Sequence, residues 1–198
     1  RIIFGMGSAL DLASQCGQLS VTRPLLVTDP GLMAIGLVQP ILAALEKAGC
    51  APLVFDQVRE DPPEATVLAA VALARSGSVD GVIAVGGGSS MDVAKVVAVL
   101  LRGEQTLADM YGVGKVTGGR LPLVLVPTTA GTGSEATPVA IITTGETTKA
   151  GVSSPVLLPD VAVLDAALTL GLPPAVTAMT GVDAMVHAIE AYTSRHKK

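Results

Sequence analysis

The chain has few of the residues that disulfide-rich or membrane-spanning proteins need. Among its 198 residues two are Cys, two are Phe, two are Tyr, none is Trp, and 15% are charged. Two cysteines exclude a disulfide framework or a cysteine zinc cluster, and they favour a reducing, cytoplasmic setting. Apolar runs such as 96–101 are far shorter than the roughly 18 residues of a membrane-spanning helix, so no membrane is expected as a partner.

Basic residues are also scarce, whereas apolar and turn-forming residues are abundant. Lys and Arg number 13 against 17 Asp and Glu, which gives a formal net charge of −4, so nucleic acid is not an expected partner. Hydrophobic residues make up 49% of the chain, which is enough to bury a core and excludes global disorder. The 22 Gly and 13 Pro favour many turns between short strands and helices over an all-helical fold.

Short apolar runs alternate with helical patterns along most of the chain. Continuously apolar runs predict buried strands at 24–28, 52–55, 81–85, 123–126 and 161–164. Helical spacing with Pro and Gly at the ends predicts helices at 40–49, 63–75 and 90–102. A hairpin is predicted over 139–152, turned at Gly145-Glu146. This order predicts an α/β fold with a Rossmann-like, mostly parallel sheet and helices on both of its faces.

The pattern changes after Leu172. A long helix is predicted over 175–192, and no strand pattern follows it. We therefore predict an α/β domain at 1–172 and the first helix of an all-helical second domain at 173–198. The chain starts at Arg1 rather than Met and stops within a helical pattern, so we expect both ends to be cut.

Three consecutive glycines, 86–88, stand between a predicted strand and a predicted helix. Glycine lets the backbone approach a ligand closely, and a helix start offers unpaired N–H groups and the positive end of its dipole. Together these favour a phosphate site. The alternative is a tight turn in which Ser89 or Ser90 caps the helix and Asp92 completes a capping box. The run matches neither the dinucleotide fingerprint nor the P-loop, which disfavours an ordinary NTPase.

A second polar segment, 127–135, follows another predicted strand and contains Thr, Ser and Gly. Its hydroxyl and N–H groups suit contacts with a ribose, a pyrophosphate or a carboxamide, although a Ser/Thr turn that caps a short helix explains it equally well. Asp29 ends the first strong strand. Its carboxylate is placed to accept from a ribose diol and to repel a 2′-phosphate, which favours NAD over NADP. An Asp-Pro-Gly turn is an equally good explanation.

Asp183 and His187 share one face of the last predicted helix because they are spaced i, i+4. A carboxylate and an imidazole suit Fe²⁺ or Zn²⁺. Two ligands do not complete a catalytic site, and the alternative is an ion pair on the helix surface. His196, which is flanked by basic residues, is predicted to belong to a solvated tail.

Three segments in this order, 86–95, 127–135 and 181–192, resemble the iron-containing, group III alcohol dehydrogenases, and the resemblance runs from Ile2 to the end of the chain. It implies an N-terminal NAD-binding domain, an all-helical metal domain, and Fe²⁺, with Zn²⁺ as the alternative metal. The cofactor-binding residues that it implies are Asp29, Gly87, Gly88, Ser89, Thr128, Thr129, Thr132, Lys149 and Leu168. The implied metal ligands are Asp183 and His187.

The resemblance also implies an activity, namely the reversible NAD-linked oxidation of a primary alcohol or diol to an aldehyde. The family takes two further histidines from its helical domain, downstream of Asp183 and His187. This chain ends before them, so we expect a cofactor-binding portion that is inactive alone. We expect a homodimer or larger homo-oligomer for the full-length protein. The alternatives are a glycerol dehydrogenase-like zinc enzyme on the same fold and a non-catalytic dinucleotide-binding module.

Overall fold

The computed structural model describes residues 1–145 and 147–195 as an α/β assembly of nine strands and seven α-helices. The strands are β1 (Ile2–Phe4), β2 (Pro24–Val27), β3 (Leu53–Phe55), β4 (Gly81–Gly86), β5 (Gly112–Val113), β6 (Leu123–Pro127), β7 (Val139–Thr144), β8 (Thr148–Ser153) and β9 (Val161–Leu164). The helices are α1 (Leu12–Gln18), α2 (Pro30–Ala34), α3 (Gln39–Lys47), α4 (Glu64–Gly77), α5 (Gly88–Arg102), α6 (Leu107–Met110) and α7 (Pro174–Thr193).

A six-stranded, wholly parallel sheet forms the centre of the molecule. Its strand order is β1-β9-β6-β4-β2-β3, and a smaller sheet, β5-β8-β7, contains the antiparallel hairpin. Side chains of the central strands alternate between two cores: Leu25 and Val27 enter one, and Leu26 enters the other. Because both faces are buried, these strands read as continuous apolar runs. The predicted Rossmann-like parallel sheet is confirmed.

Helix α5 is the main support of the site because its amino end follows β4 directly. Ten of its side chains are buried, and it packs against β4, β6, α4 and β7. The carboxyl ends of β2, β4 and β6 therefore lie together beside the start of α5. Open parallel sheets bind ligands at this edge.

Several local predictions differ from the structure. Helix α5 begins at Gly88 after Gly87, with no capping side chain among the described residues, so neither Ser89 nor Ser90 caps it. Asp92 instead hydrogen-bonds to residues of the following loop and strand. Helix α4 ends two residues later than predicted, at Gly77, because Ser78 rather than Gly77 adopts the left-handed conformation (φ 52°) that glycine usually supplies.

The short elements α2, α6 and β5 lie where no element was predicted. The predicted hairpin is present as β7 and β8. Gly145 has φ 61° at its turn, and Glu146, the other predicted turn residue, lies outside the described residues, as does His196.

The last helix, α7, is the longest of the described helices, and none of its described side chains is buried. It begins at Pro174, close to the predicted change of pattern, and the division into domains at residue 172 stays a prediction. In the described part of the chain, no helix is long and apolar enough to pass through a membrane.

Candidate functional site

Two adjoining clefts open at the carboxyl ends of the central strands. The first, the glycine cleft, has a volume of about 520 Å³ and runs along the glycine turn (residues 86–88) and the threonine loop (residues 128–137). The second, the histidine cleft, has a volume of about 720 Å³ and extends from the start of α5 to α7. Gly88, Ser89 and Thr132 line both clefts, so an elongated ligand can occupy the two together.

Most of the predicted cofactor residues meet at these clefts. The glycine cleft is lined by seven of them: Asp29, Gly87, Gly88, Ser89, Thr128, Thr129 and Thr132. Lys149 lines the histidine cleft together with Asp183 and His187. Leu168 lines neither cleft and packs against the core that Leu26 enters, so its predicted contact with the adenine side stays a prediction. Leu172, which was not predicted, stands in the wall of the glycine cleft.

The glycine turn leaves open space beside its own backbone, where a bound ligand is expected. A Cβ atom on Gly87 would meet nothing nearer than Thr129 Oγ1, at 3.7 Å, so the missing side chain opens the cleft and relieves no clash in the protein. The first N–H groups of α5 have no capping side chain among the described residues. Uncapped N–H groups at the positive end of a helix dipole suit a phosphate.

The threonine loop packs against the glycine turn and presents an unpaired hydroxyl. Thr128 N–H donates to the Gly86 carbonyl at 3.0 Å, which fixes the start of the loop. Thr129 Oγ1 is buried and has no hydrogen-bond partner among the described residues. A buried unpaired hydroxyl is costly, so its position at a cleft indicates a ligand partner. The residues present therefore fit a dinucleotide.

Asp29 has one structural role and remains available for a second one. Its Oδ1 accepts from Leu32 N–H at 2.9 Å and so caps α2, as the turn interpretation predicted. The same carboxylate lines the glycine cleft, with Oδ2 3.8 Å from the position of a Cβ atom on Gly86. Capping and ribose recognition are therefore compatible, and the preference for NAD over NADP stays a prediction.

Lys149 reaches the histidine cleft from β8 and is held there by an acidic residue. Its Nζ lies 2.6 Å from Asp61 Oδ1, and both side chains are more than half exposed. Asp61 has φ 49°, and its carbonyl accepts from Thr143 Oγ1 at 3.0 Å. The segment before α4 is thus fastened to β7 at the mouth of the cleft.

Asp183 and His187 face each other across a gap that suits a cation. His187 Nε2 lies 3.6 Å from Asp183 Oδ1, which is too long for a hydrogen bond. His187 Nδ1 lies 3.1 Å from the Gly131 carbonyl. A carbonyl only accepts, so Nδ1 is the donor in this contact, and in the neutral imidazole Nε2 then has a free lone pair. Two metal–ligand bonds of about 2.1 Å each span such a gap at an open angle. The donor set therefore fits a divalent transition metal.

The position of α7 depends on one glycine. A Cβ atom on Gly131 would stand 2.2 Å from the Thr180 carbonyl oxygen, so only glycine allows the threonine loop to approach α7 this closely. This approach brings the Gly131 carbonyl to His187. No group of three or more potential metal-ligating side chains (His, Cys, Asp or Glu) occurs among residues 1–145 and 147–195. Within that part of the chain, Asp183 and His187 thus have no third side-chain ligand beside them, and their role as metal ligands stays a prediction.

Two features of the site were not predicted from the sequence. Asp92 and Ser134 line the histidine cleft and are joined by a hydrogen bond, and Lys95 is buried behind them. Lys95 falls on the buried face of an apolar helical pattern, and this position is the feature of the helical pattern that indicates its burial. Gly131 gave no signal of its own, because its partner Thr180 is distant in sequence.

The parallel sheet, the glycine turn at its carboxyl edge and the Asp-His pair on α7 together define a Rossmann-like α/β protein whose clefts suit a dinucleotide and a divalent cation. The profile of one family, "Iron-containing alcohol dehydrogenase", matches residues 1–166. The chain belongs to this family, as its motifs indicated.

Curated relatives and solved structures agree with this assignment. "Long-chain-alcohol dehydrogenase 1" of Geobacillus thermodenitrificans is 43% identical over 98% of this chain and 51% of its own length. A crystal structure of 1,3-propanediol oxidoreductase superposes with a TM-score of 0.95 at 36% identity, covering 100% of this chain and 52% of that one. Sulfoacetaldehyde reductase of Bifidobacterium kashiwanohense, solved in complex with NAD⁺, gives a TM-score of 0.92 at 34% identity over 98% of this chain and 52% of that one. The chain spans about half the length of these relatives.

Proposed function

We propose that this chain is the NAD-binding portion of a metal-dependent alcohol dehydrogenase that oxidises a primary alcohol or diol to an aldehyde reversibly. The observation that carries the proposal is the continuity of the two clefts from the glycine turn to Asp183 and His187. A dinucleotide that lies along the first cleft directs its nicotinamide end toward the second one. The family assignment supports the same reaction class.

The residues of the glycine cleft bind and orient the cofactor in this proposal. The N–H groups at the start of α5 bind the pyrophosphate, because Gly87 leaves space for it and no described side chain caps them. Asp29 accepts from ribose hydroxyls, and Thr129 Oγ1 gains the partner that it lacks. Lys149, held by Asp61, contacts the nicotinamide ribose. Bound NAD supplies the hydride acceptor.

The residues of the histidine cleft hold the metal in this proposal. Asp183 Oδ1 and His187 Nε2 are two ligands, and Gly131 fixes the orientation of the imidazole ring. A divalent cation bound there supplies Lewis-acid polarisation of the alcohol oxygen. We expect that the 198-residue chain binds NAD but turns over little alcohol, because two protein ligands hold a catalytic metal poorly. The cytoplasmic setting and the homo-oligomer stay part of the proposal.

Metal and activity measurements on the full-length protein test the reaction class. We expect NADH formation from a primary alcohol to require a bound divalent metal, and elemental analysis identifies it as iron or zinc. The His187→Ala variant should lose both metal and turnover, while Met185→Ala, on the same helix but outside both clefts, should keep them. Alcohol-dependent NADH formation by metal-free protein would contradict the proposal.

A further inference from the structure

The proposed function leaves a buried lysine unexplained. Lys95 lies on α5, two turns after the glycine turn, and its side chain is 0% exposed. Removing an ammonium from water is costly, so it persists only where hydrogen bonds and an opposite charge compensate. The partners that Lys95 has acquired therefore indicate what its burial achieves.

The Lys95 ammonium joins three elements of the site. Its Nζ donates to Ser134 Oγ at 2.8 Å and to the Val139 carbonyl at 2.7 Å, and it lies 3.7 Å from Asp92 Oδ1. Ser134 belongs to the threonine loop, Val139 begins β7, and Asp92 precedes Lys95 by one helical turn. Burial lowers the pKa of Lys95 and raises that of Asp92, and the attraction between the two charges offsets part of both shifts.

Ser134 connects the two charged residues. Its hydroxyl accepts from Lys95 and donates to Asp92 Oδ1 at 2.6 Å. The second carboxylate oxygen of Asp92 accepts from Ile141 N–H at 2.9 Å. The Ser134 hydroxyl therefore uses both its acceptor and its donor capacity within the protein. Together these hydrogen bonds form a small buried network that joins the threonine loop and β7 to α5.

The network reaches the glycine cleft through one further residue. The amide of Ser134 donates to Thr132 Oγ1 at 3.3 Å. A Cβ atom on Gly88 would stand 3.1 Å from Thr132 Cγ2, so the loop and the glycine turn already lie in contact at this point. Displacement of Ser134 would thus move Thr132, which lines both clefts.

We propose that Lys95 is a positioning residue that, through Ser134 and Asp92, holds the threonine loop against the glycine turn before the cofactor arrives. The inference rests on the proposed function, because the cleft that it shapes is the NAD cleft. A preformed loop spares the entropic cost of ordering it on binding. A lysine with only a stabilising role would affect the unfolding of the whole protein but not the order of this loop.

Hydrogen exchange and NADH titration of four variants test the proposal. Ser134→Ala removes the bridging hydroxyl, Lys95→Met removes the ammonium, and Ser134→Thr keeps a hydroxyl. Leu100→Ala, near the far end of α5, is the control for lost core packing. We expect amide exchange in 128–137 to rise about five- to tenfold in Ser134→Ala and Lys95→Met, as the loss of one or two buried hydrogen bonds implies. The NADH dissociation constant should rise by a similar factor.

The controls separate positioning from stability. Ser134→Thr should keep amide exchange in 128–137 and the NADH dissociation constant near their wild-type values. Leu100→Ala should lower the midpoint of unfolding without a selective rise of amide exchange in 128–137. If Ser134→Ala leaves loop exchange at the wild-type level, or if Leu100→Ala raises it equally, the positioning role is wrong. If Lys95→Met fails to fold, amide exchange of the loop in Ser134→Ala tests the positioning role by itself. If wild-type protein does not bind NADH, the proposed function fails, and loop exchange alone still decides the role of Lys95.

Discussion

Some residues at this site have two structural roles, and in the case of Gly131 the contacting residues are distant in sequence. Asp29 caps α2 and also lines the glycine cleft. Gly131 provides a carbonyl to His187, 56 residues away, and its missing side chain lets α7 approach. The residue types at Asp29 and His187 could be singled out from sequence, because their chemistry is specific. The role of Gly131 could not, because it depends on a contact that no local pattern encodes.

We expect Gly131→Ala to detach α7 from the threonine loop. The new Cβ would stand 2.2 Å from the Thr180 carbonyl oxygen, and backbone atoms cannot yield as a flexible side chain does. Hydrogen exchange within 174–193 should accelerate, while the midpoint of global unfolding changes little because α7 buries no described side chain. Gly171→Ala, where a Cβ atom meets nothing within 4 Å, is the matched control. Unchanged exchange in α7 would contradict the account.

Elements were predictable from sequence where burial imposes a regular pattern. Strands β2, β4 and β6 lie inside a parallel sheet and therefore appear as unbroken apolar runs. Helix α2 has five residues and β5 has two, so neither is long enough for the helical or the strand periodicity of apolar residues to be recognised. The glycine turn was correctly expected between a strand and a helix, although β4 includes Gly86 and α5 already begins at Gly88. The alternative of a serine cap was wrong, because no side chain caps α5 among the described residues.

The join between β6 and β9 depends on a charged group that titrates. Burial alone would raise the pKa of Asp160, but Arg120, 2.6 Å away, and the Leu123 amide outweigh that effect and lower it. A lowered folded-state pKa adds stability above the unfolded pKa, about 3.9, and that stability is lost as pH falls through the folded value.

We therefore expect Asp160→Asn to destabilise the protein by about 1–3 kcal/mol at neutral pH, as for the loss of a charged hydrogen bond. The difference from wild type should shrink toward zero as pH falls through the lowered pKa of the folded wild-type carboxyl, because that carboxyl then becomes neutral as well. Urea unfolding at several pH values measures both quantities. A difference that stays constant across this range would show that the carboxylate charge does not matter.

The whole molecule combines a well-packed α/β body with one helix that has an uncovered apolar face. Met179, Val182, Met185, Val186 and Ile189 on α7 are each 44–64% exposed. Composition indicated a buried core and many turns, and the motifs added the family. Neither predicted how α7 docks on the body, because that docking rests on backbone contacts at Gly131.

We expect limited proteolysis of the 198-residue chain to cut first within 174–195. That segment buries no described side chain within α7, whereas β2, β4 and β6 are buried along their whole length and α5 buries ten of its side chains. The remaining body should keep its unfolding midpoint, because α7 buries no described side chain. Mass spectrometry of timed digests locates the cut. Resistance of α7 in a monomer would contradict the view that its apolar face is left uncovered by residues 1–145 and 147–195.

NADH binding by the wild-type chain and by Gly87→Ala tests the central claim most directly. The backbone at Gly87 (φ −77°) accepts alanine, and the added Cβ meets only ordinary contacts in the protein, so stability should not fall. The same methyl group fills the space that the proposal gives to the pyrophosphate. We predict saturable binding by wild type, a dissociation constant raised roughly tenfold or more in Gly87→Ala, and no change in Gly17→Ala, where a Cβ atom meets nothing within 4 Å. Equal NADH affinity in wild type and Gly87→Ala, or no saturable binding by wild type, would contradict it.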